Sequence, residues 1–179
     1  SPQMNANVNY DELQELDPRE MQGDLLMALS GQQVTVHTSE EADFDYMEAE
    51  DVAFVVENPQ GGENLLVELC GEFSVFFETW HGTYKAAGTG CEQMKQDIAA
   101  ILGGQAAALT LYAGGRWLGS VLCPEAPAAD ADAAALLARP EVLPGMADKV
   151  RQLGGRIELV RWDPARNRSW VVPAQNESI

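Results

Sequence analysis

Hydrophobic and polar positions change rhythm several times along the chain, and each change predicts an element. Asp17-Pro18-Arg19-Glu20 has the form of a helix start. Asp17 suits the N-cap, Pro18 the first helical position, and Glu20 completes a capping-box-like arrangement. Met21, Leu25, Ala28 and Leu29 then fall on one helical face, and Gly31 suits the stop. Residues 33–38 alternate, with Val34 and Val36 on one side, which predicts a short strand. Three β-rich runs follow at 52–57, 65–70 and 73–80. They are separated by Asn58-Pro59-Gln60-Gly61-Gly62 and by Gly71-Glu72, which predicts an antiparallel meander.

The period then returns to that of a helix. Thr89 is the expected N-cap, with Glu92 three residues on, and Met94, Ile98, Ile101 and Leu102 form the buried stripe before Gly103-Gly104. Residues 106–113 and 116–122 flank Gly114-Gly115, a strong two-residue hairpin signal. A Pro/Ala-rich stretch leads to a short helix over 133–138 and a longer one over 144–153, stopped by Gly154-Gly155. Residues 156–162 and 168–172 predict a last hairpin around 163–167.

Strand pairs interrupted by single helices predict an α+β fold: a largely antiparallel sheet built from hairpins, with two to four helices packed on it. Residues 1–16 are expected to be a flexible or partly helical N-terminal segment, and 17–179 a single α+β domain. Within it, 124–140 forms a Pro/Ala-rich connector to a C-terminal helix–hairpin unit. That unit is too small to stand alone and is expected to pack on the same sheet.

Composition narrows the function classes. The chain has 179 residues, 46% hydrophobic and 22% charged, which is apolar enough for a core and excludes wholesale disorder. Its net charge is −17, and the imbalance is local. Residues 1–84 hold 18 acidic side chains and one basic one, Arg19, whereas 85–179 hold 10 of each. Binding to nucleic acid or an anionic membrane is driven by Lys and Arg, so neither is an expected partner of the protein, an exclusion that rests on the charge of the first half. Residues 139–168 carry 7 basic against 4 acidic side chains, so the molecule is electrically polar along its sequence.

The three cysteines, Cys70, Cys91 and Cys123, form no C-x-x-C pair and point to a reducing, cytoplasmic setting. No apolar run reaches transmembrane length, and no charged-then-apolar leader opens the chain, although it begins at Ser1 rather than Met.

Cys91 with His81 is the best catalytic pair in the sequence. A thiol near a helix N-terminus has a lowered pKa, and an imidazole can take its proton. The structural reading of the same residues is that His81 bonds a turn and Cys91 is a small first-turn residue, since no orienting Asn or Asp and no local cysteine-hydrolase signature accompany them. Neither a metal nor a cofactor is expected. Two histidines, His37 and His81, and unpatterned cysteines make no zinc spacing. The run Asp43 to Glu48 lacks the Gly and terminal Glu of a calcium loop, and Gly88-Thr89-Gly90 lacks the rest of a phosphate-binding fingerprint.

One feature of recognition remains. In residues 40–51, Phe44, Tyr46 and Met47 interleave with Asp43, Asp45, Glu48, Glu50 and Asp51. Carboxylates steer a basic partner while aromatic and Met side chains anchor it. The other reading is an acidic loop with its aromatics folded back on the core.

The segment Phe76-Phe77-Glu78-Thr79-Trp80-His81-Gly82-Thr83-Tyr84, followed by a helix and Leu111-Tyr112-Ala113-Gly114-Gly115-Arg116-Trp117-Leu118-Gly119-Ser120, resembles small bacterial cytoplasmic proteins of the immunity type found in toxin–immunity systems. The likeness covers about residues 64–122 and carries no catalytic residues. It implies a non-enzymatic acidic protein-binding module, an immunity or antitoxin-type inhibitor of a basic partner such as a toxin nuclease. The expected contact residues are Asp43, Phe44, Asp45, Tyr46, Glu48, Glu50 and Asp51. The alternatives are a small cysteine enzyme using Cys91 and His81, or a regulatory domain.

Overall fold

The computed structural model describes residues 18–175. Asp17 and the 1–16 segment lie outside the described residues. The elements run α1 (Pro18–Ala28), β1 (Val34–Thr38), β2 (Val52–Val56), β3 (Leu65–Leu69), β4 (Phe73–Phe77), β5 (Trp80–Tyr84), α2 (Gly88–Leu102), β6 (Ala107–Ala113), β7 (Arg116–Cys123), α3 (Ala133–Leu137), α4 (Pro144–Leu153), β8 (Gly155–Val160) and β9 (Arg168–Val172). The fold is α+β, with its antiparallel strands divided between two sheets, ordered β1-β2-β3-β4-β5 and β7-β6-β8-β9. The chain forms two compact units. Among the described residues one comprises 18–77 together with 81–99, and the other 78–80 together with 100–175.

In the first unit, alternation in β3 and β4 sends Leu65, Val67, Leu69, Phe73, Val75 and Phe77 inward. Antiparallel register aligns them in rows: Val56 beside Leu65 beside Phe77, and Phe54 beside Val67 beside Val75. Val34 and Val36 of β1 extend those rows, as their alternation predicts, but at the sheet edge, where Val36 is exposed. Met21 and Leu25 are the buried side of α1, which packs on β2 and β3, and Leu29 just past its end is buried too. The part of helix α2 in this unit buries Cys91, Met94 and Ile98. Lys95 of α2 is also fully buried, and its Nζ donates to Asp24 Oδ2 of α1 at 2.6 Å.

Two boundaries differ from the sequence pattern. The run 73–80 is not one strand: Glu78 adopts φ 55°, a left-handed backbone, and with Thr79 turns β4 into β5. Nothing in its composition marks the turn, because neither Gly nor Asn stands there. Helix α2 begins at Gly88, and Cys91 N–H already bonds Ala87 O at 2.9 Å, so Thr89 lies in the first turn and is not the N-cap.

In the second unit the β6–β7 hairpin turns through Gly114 (φ 55°) and Gly115 (φ 79°), the pair of positive angles that a type I′ turn requires. A register shift follows between Leu111 and Tyr112. The C-terminal helix–hairpin segment joins this sheet, β8 pairing with β6. The 124–140 stretch lies inside the unit and is pinned to it: Ala126 N–H bonds Gln105 O, Arg139 donates to Glu125 O, and Asp132 caps α3 through Ala135 N–H at 2.8 Å. Leu109, Leu111, Ile157 and Leu159 pack with Leu136, Leu137, Ala147 and Val150 of α3 and α4. On the other face, Thr79, Thr110 and Ser120 close a triangle of hydroxyls at 2.7, 2.8 and 2.9 Å.

Candidate functional site

The outer face of the first sheet carries a cross-strand row of His37, Ala53, Glu68 and Ser74, set by the antiparallel registers of β1 to β4. Residues 40–51 are anchored over that row by their aromatic side chains. After a short 3-10 turn at Ala42–Phe44, the Phe44 ring stacks on His37 with centroids 4.4 Å apart. The Tyr46 hydroxyl donates to Glu68. Met47 is buried. The interleaving of aromatic and acidic residues is thereby resolved into two layers: Phe44 and Met47 inward, Asp43, Asp45, Glu48 and Glu50 exposed.

Short-range hydrogen bonds hold the segment. Glu41 accepts from Thr38 N–H at 2.9 Å and is 2.8 Å from His37 Nδ1. The His37 hydrogen bond, followed by that of Thr38, holds the Glu41 carboxyl below its usual range. Desolvation of the Tyr46 hydroxyl and its bond to Glu68 push that phenol upward, so at neutral pH it is a donor. Tyr46 as a whole is 60% exposed, leaving its ring available beside the carboxylates.

The seven expected contact residues therefore divide. Asp43, Asp45, Tyr46, Glu48 and Glu50 are exposed together, whereas Phe44 is half-buried against His37. Asp51 turns inward. It is buried, accepts Glu48 N–H at 2.9 Å, and with Glu68 raises the Cys70 thiol, whose pKa burial foremost pushes up to about 12. Asp51 thus shapes the segment and presents no free carboxylate. Glu41, His37 and Glu68 are the residues that sequence reasoning missed. The four-residue spacing of His37 and Glu41 is a local signal, but Glu68 is brought in only by strand pairing.

Cys91 and His81 are placed differently. Cys91 is fully buried, and burial pushes its thiol up to about 12; the nearby Lys95 charge lowers it and Asp24 raises it. It is a neutral thiol at pH 7, the opposite of an activated nucleophile. His81 is exposed and stacks on Phe76 at 5.7 Å. Among the described residues no group of three or more His, Cys, Asp or Glu is arranged to hold a metal, and no helix is long and apolar enough to cross a membrane.

Charge follows the division of the chain. Among the described residues the first unit carries 15 acidic side chains against 3 basic, a net −12, and the second 8 against 8, a net charge of zero. No protein-family model, curated protein or solved structure matches the chain.

Proposed function

We propose that the protein is a non-enzymatic acidic binding module of the immunity or antitoxin kind, whose first unit receives a basic protein partner such as a toxin nuclease. The observation that carries this reading is the exposed layer of Asp43, Asp45, Glu48 and Glu50 around the Tyr46 ring, on a segment whose Phe44 and Met47 are tied down. Prior ordering lowers the entropic cost of binding, and an exposed Tyr among carboxylates supplies an anchor inside a steering field.

The test is a native pull-down, followed by binding measurements on the basic protein recovered. Affinity is expected to fall as salt rises and to fall at least tenfold in the combined variant Asp43→Asn, Asp45→Asn, Glu48→Gln, Glu50→Gln. A partner whose affinity is the same in low and high salt, or the same for that variant, overturns the reading.

A further inference from the structure

Residues 139–168 hold seven basic side chains, and the function proposed above uses none of them. Three have carboxylate partners: Arg139 with Glu141 at 3.1 Å, Arg151 with Asp148 at 3.1 Å, and Arg156 with Glu158 at 3.4 Å. Arg161, just beyond the end of β8, is different. It is only 7% exposed, yet no carboxylate among the described residues pairs with it. Its Nη2 donates to Pro127 O at 2.9 Å and its backbone N–H to Asn167 Oδ1 at 2.8 Å, while its Nε is buried with no acceptor. A buried charged donor left unpaired is uncommon in folded proteins and marks a place where an acceptor belongs.

A second guanidinium bears on the same loops. Arg166 Nη1 lies 3.7 Å from where a Cβ on Gly104 would stand, which places it against the turn after α2. Gln105 O in that turn accepts Ala126 N–H at 2.6 Å, and the next residue, Pro127, holds Arg161. The carboxylate closest in sequence, Asp163, accepts Ala165 N–H at 3.0 Å. Burial, and then the like charge of Arg166, lower the Arg161 pKa, an arrangement that a bound anion reverses.

We propose that Arg161 and Arg166 form a binding site for a phosphate-class dianion, bounded by residues 104–105, 126–127 and the β8–β9 connection. Two guanidinium groups that have no carboxylate partner among the described residues call for about two negative charges, which a phosphate or phosphomonoester carries at neutral pH. The planar guanidinium fork matches phosphate oxygens in pairs. The site lies in the unit whose described residues carry no net charge. It stands independently of the basic-partner reading.

The test uses the whole chain and inorganic phosphate, with sodium chloride at matched ionic strength as reference. The thermal midpoint is expected to rise with the logarithm of phosphate concentration above its Kd, by on the order of 4 °C at about ten times the Kd. The exposed-residue variant Arg166→Gln, which keeps the fold, is expected to weaken phosphate binding at least fivefold by calorimetry, and Arg161→Met to abolish it. Glycerol phosphate matching inorganic phosphate supports a site open to phosphomonoesters; a response to inorganic phosphate alone supports one closed around the free ion. Equal midpoints in phosphate and chloride, an equal response to acetate, or an unchanged response in Arg166→Gln overturns the proposal.

Discussion

Lys95 and Asp24 meet at 2.6 Å in the interior of the first unit, the ammonium fully buried and the carboxylate nearly so. They join α2 to α1 across 71 residues of sequence. Removing one partner leaves the other charge buried, so Lys95→Met or Asp24→Leu is expected to cost about 3–5 kcal/mol in urea unfolding. The double change Asp24→Leu, Lys95→Met is expected to recover most of that loss, and a double variant no better than the worse single one contradicts this account.

Alkaline pH is expected to weaken the fold. Burial foremost raises the thiols of Cys70 and Cys91 to about 12 and of Cys123 to about 11, from an ordinary value of 9.0. The unfolded chain therefore releases these protons first, so the stabilisation is complete below pH 9 and is lost as pH climbs toward 12. Tyr84, raised by burial and by its 2.5 Å bond to Asp97, acts in the same direction at higher pH. Urea midpoints at pH 8 and pH 10.5 provide the check, and equal values contradict the assignment. At pH 7 the Cys91 thiol is expected to react with iodoacetamide only when the chain unfolds.

The hydroxyl triangle of Thr79, Thr110 and Ser120 predicts non-additive losses. Thr110 is 2% exposed, and Thr110→Val is expected to cost about 1 kcal/mol, since Thr79 and Ser120 still bond each other. Adding Ser120→Ala then strands Thr79, and a coupling of at least about 0.5 kcal/mol is expected in the double-mutant cycle. Strict additivity speaks against a shared network.

Close backbone approach closes Gly155 to any side chain. A Cβ there would stand 1.9 Å from Tyr112 O, where β8 meets β6. Gly155→Ala is expected to cost more than about 4 kcal/mol or to prevent folding, whereas Gly145→Ala, with open space at the Cβ, stays within about 0.5 kcal/mol by thermal denaturation.

Neutralising Asp43, Asp45, Glu48 and Glu50 together is expected to leave the unfolding midpoint unlowered, because each side chain is exposed and removing like charges from a unit whose described residues carry a net −12 relieves repulsion. The separation of stability from recognition is the point of that variant. A marked loss of stability shows instead that these carboxylates hold the segment together.

Much of this architecture is legible one residue at a time. Pro144 and Gly154 bracket α4 at its observed ends, Gly114-Gly115 make the hairpin they announce, and β9 starts and stops where its alternation does. Those signals are local, acting through dihedral preference and missing donors. The turn at Glu78 escapes such reading, because its left-handed backbone is imposed on a residue with no preference for it. The acidic segment is half legible: composition shows carboxylates and aromatics together, but only strand register shows that Phe44 finds His37 and Tyr46 finds Glu68. Arg161 is invisible in the same sense, since a buried arginine with no carboxylate partner among the described residues is defined by what their folding does not bring to it.

The assignment of residues 78–80 to the second unit bears on how such a protein is taken apart or recombined. The covalent chain crosses from one unit to the other after residues 77, 80 and 99, so neither unit is a continuous stretch of the polypeptide. One cut in the gene cannot deliver two whole units: a fragment ending at residue 99 carries Thr79 away from Thr110 and Ser120, its hydrogen-bond partners. Residues 78–80, the two-residue turn after β4 and the first residue of β5, make the two units a single heritable module, exchanged or lost together.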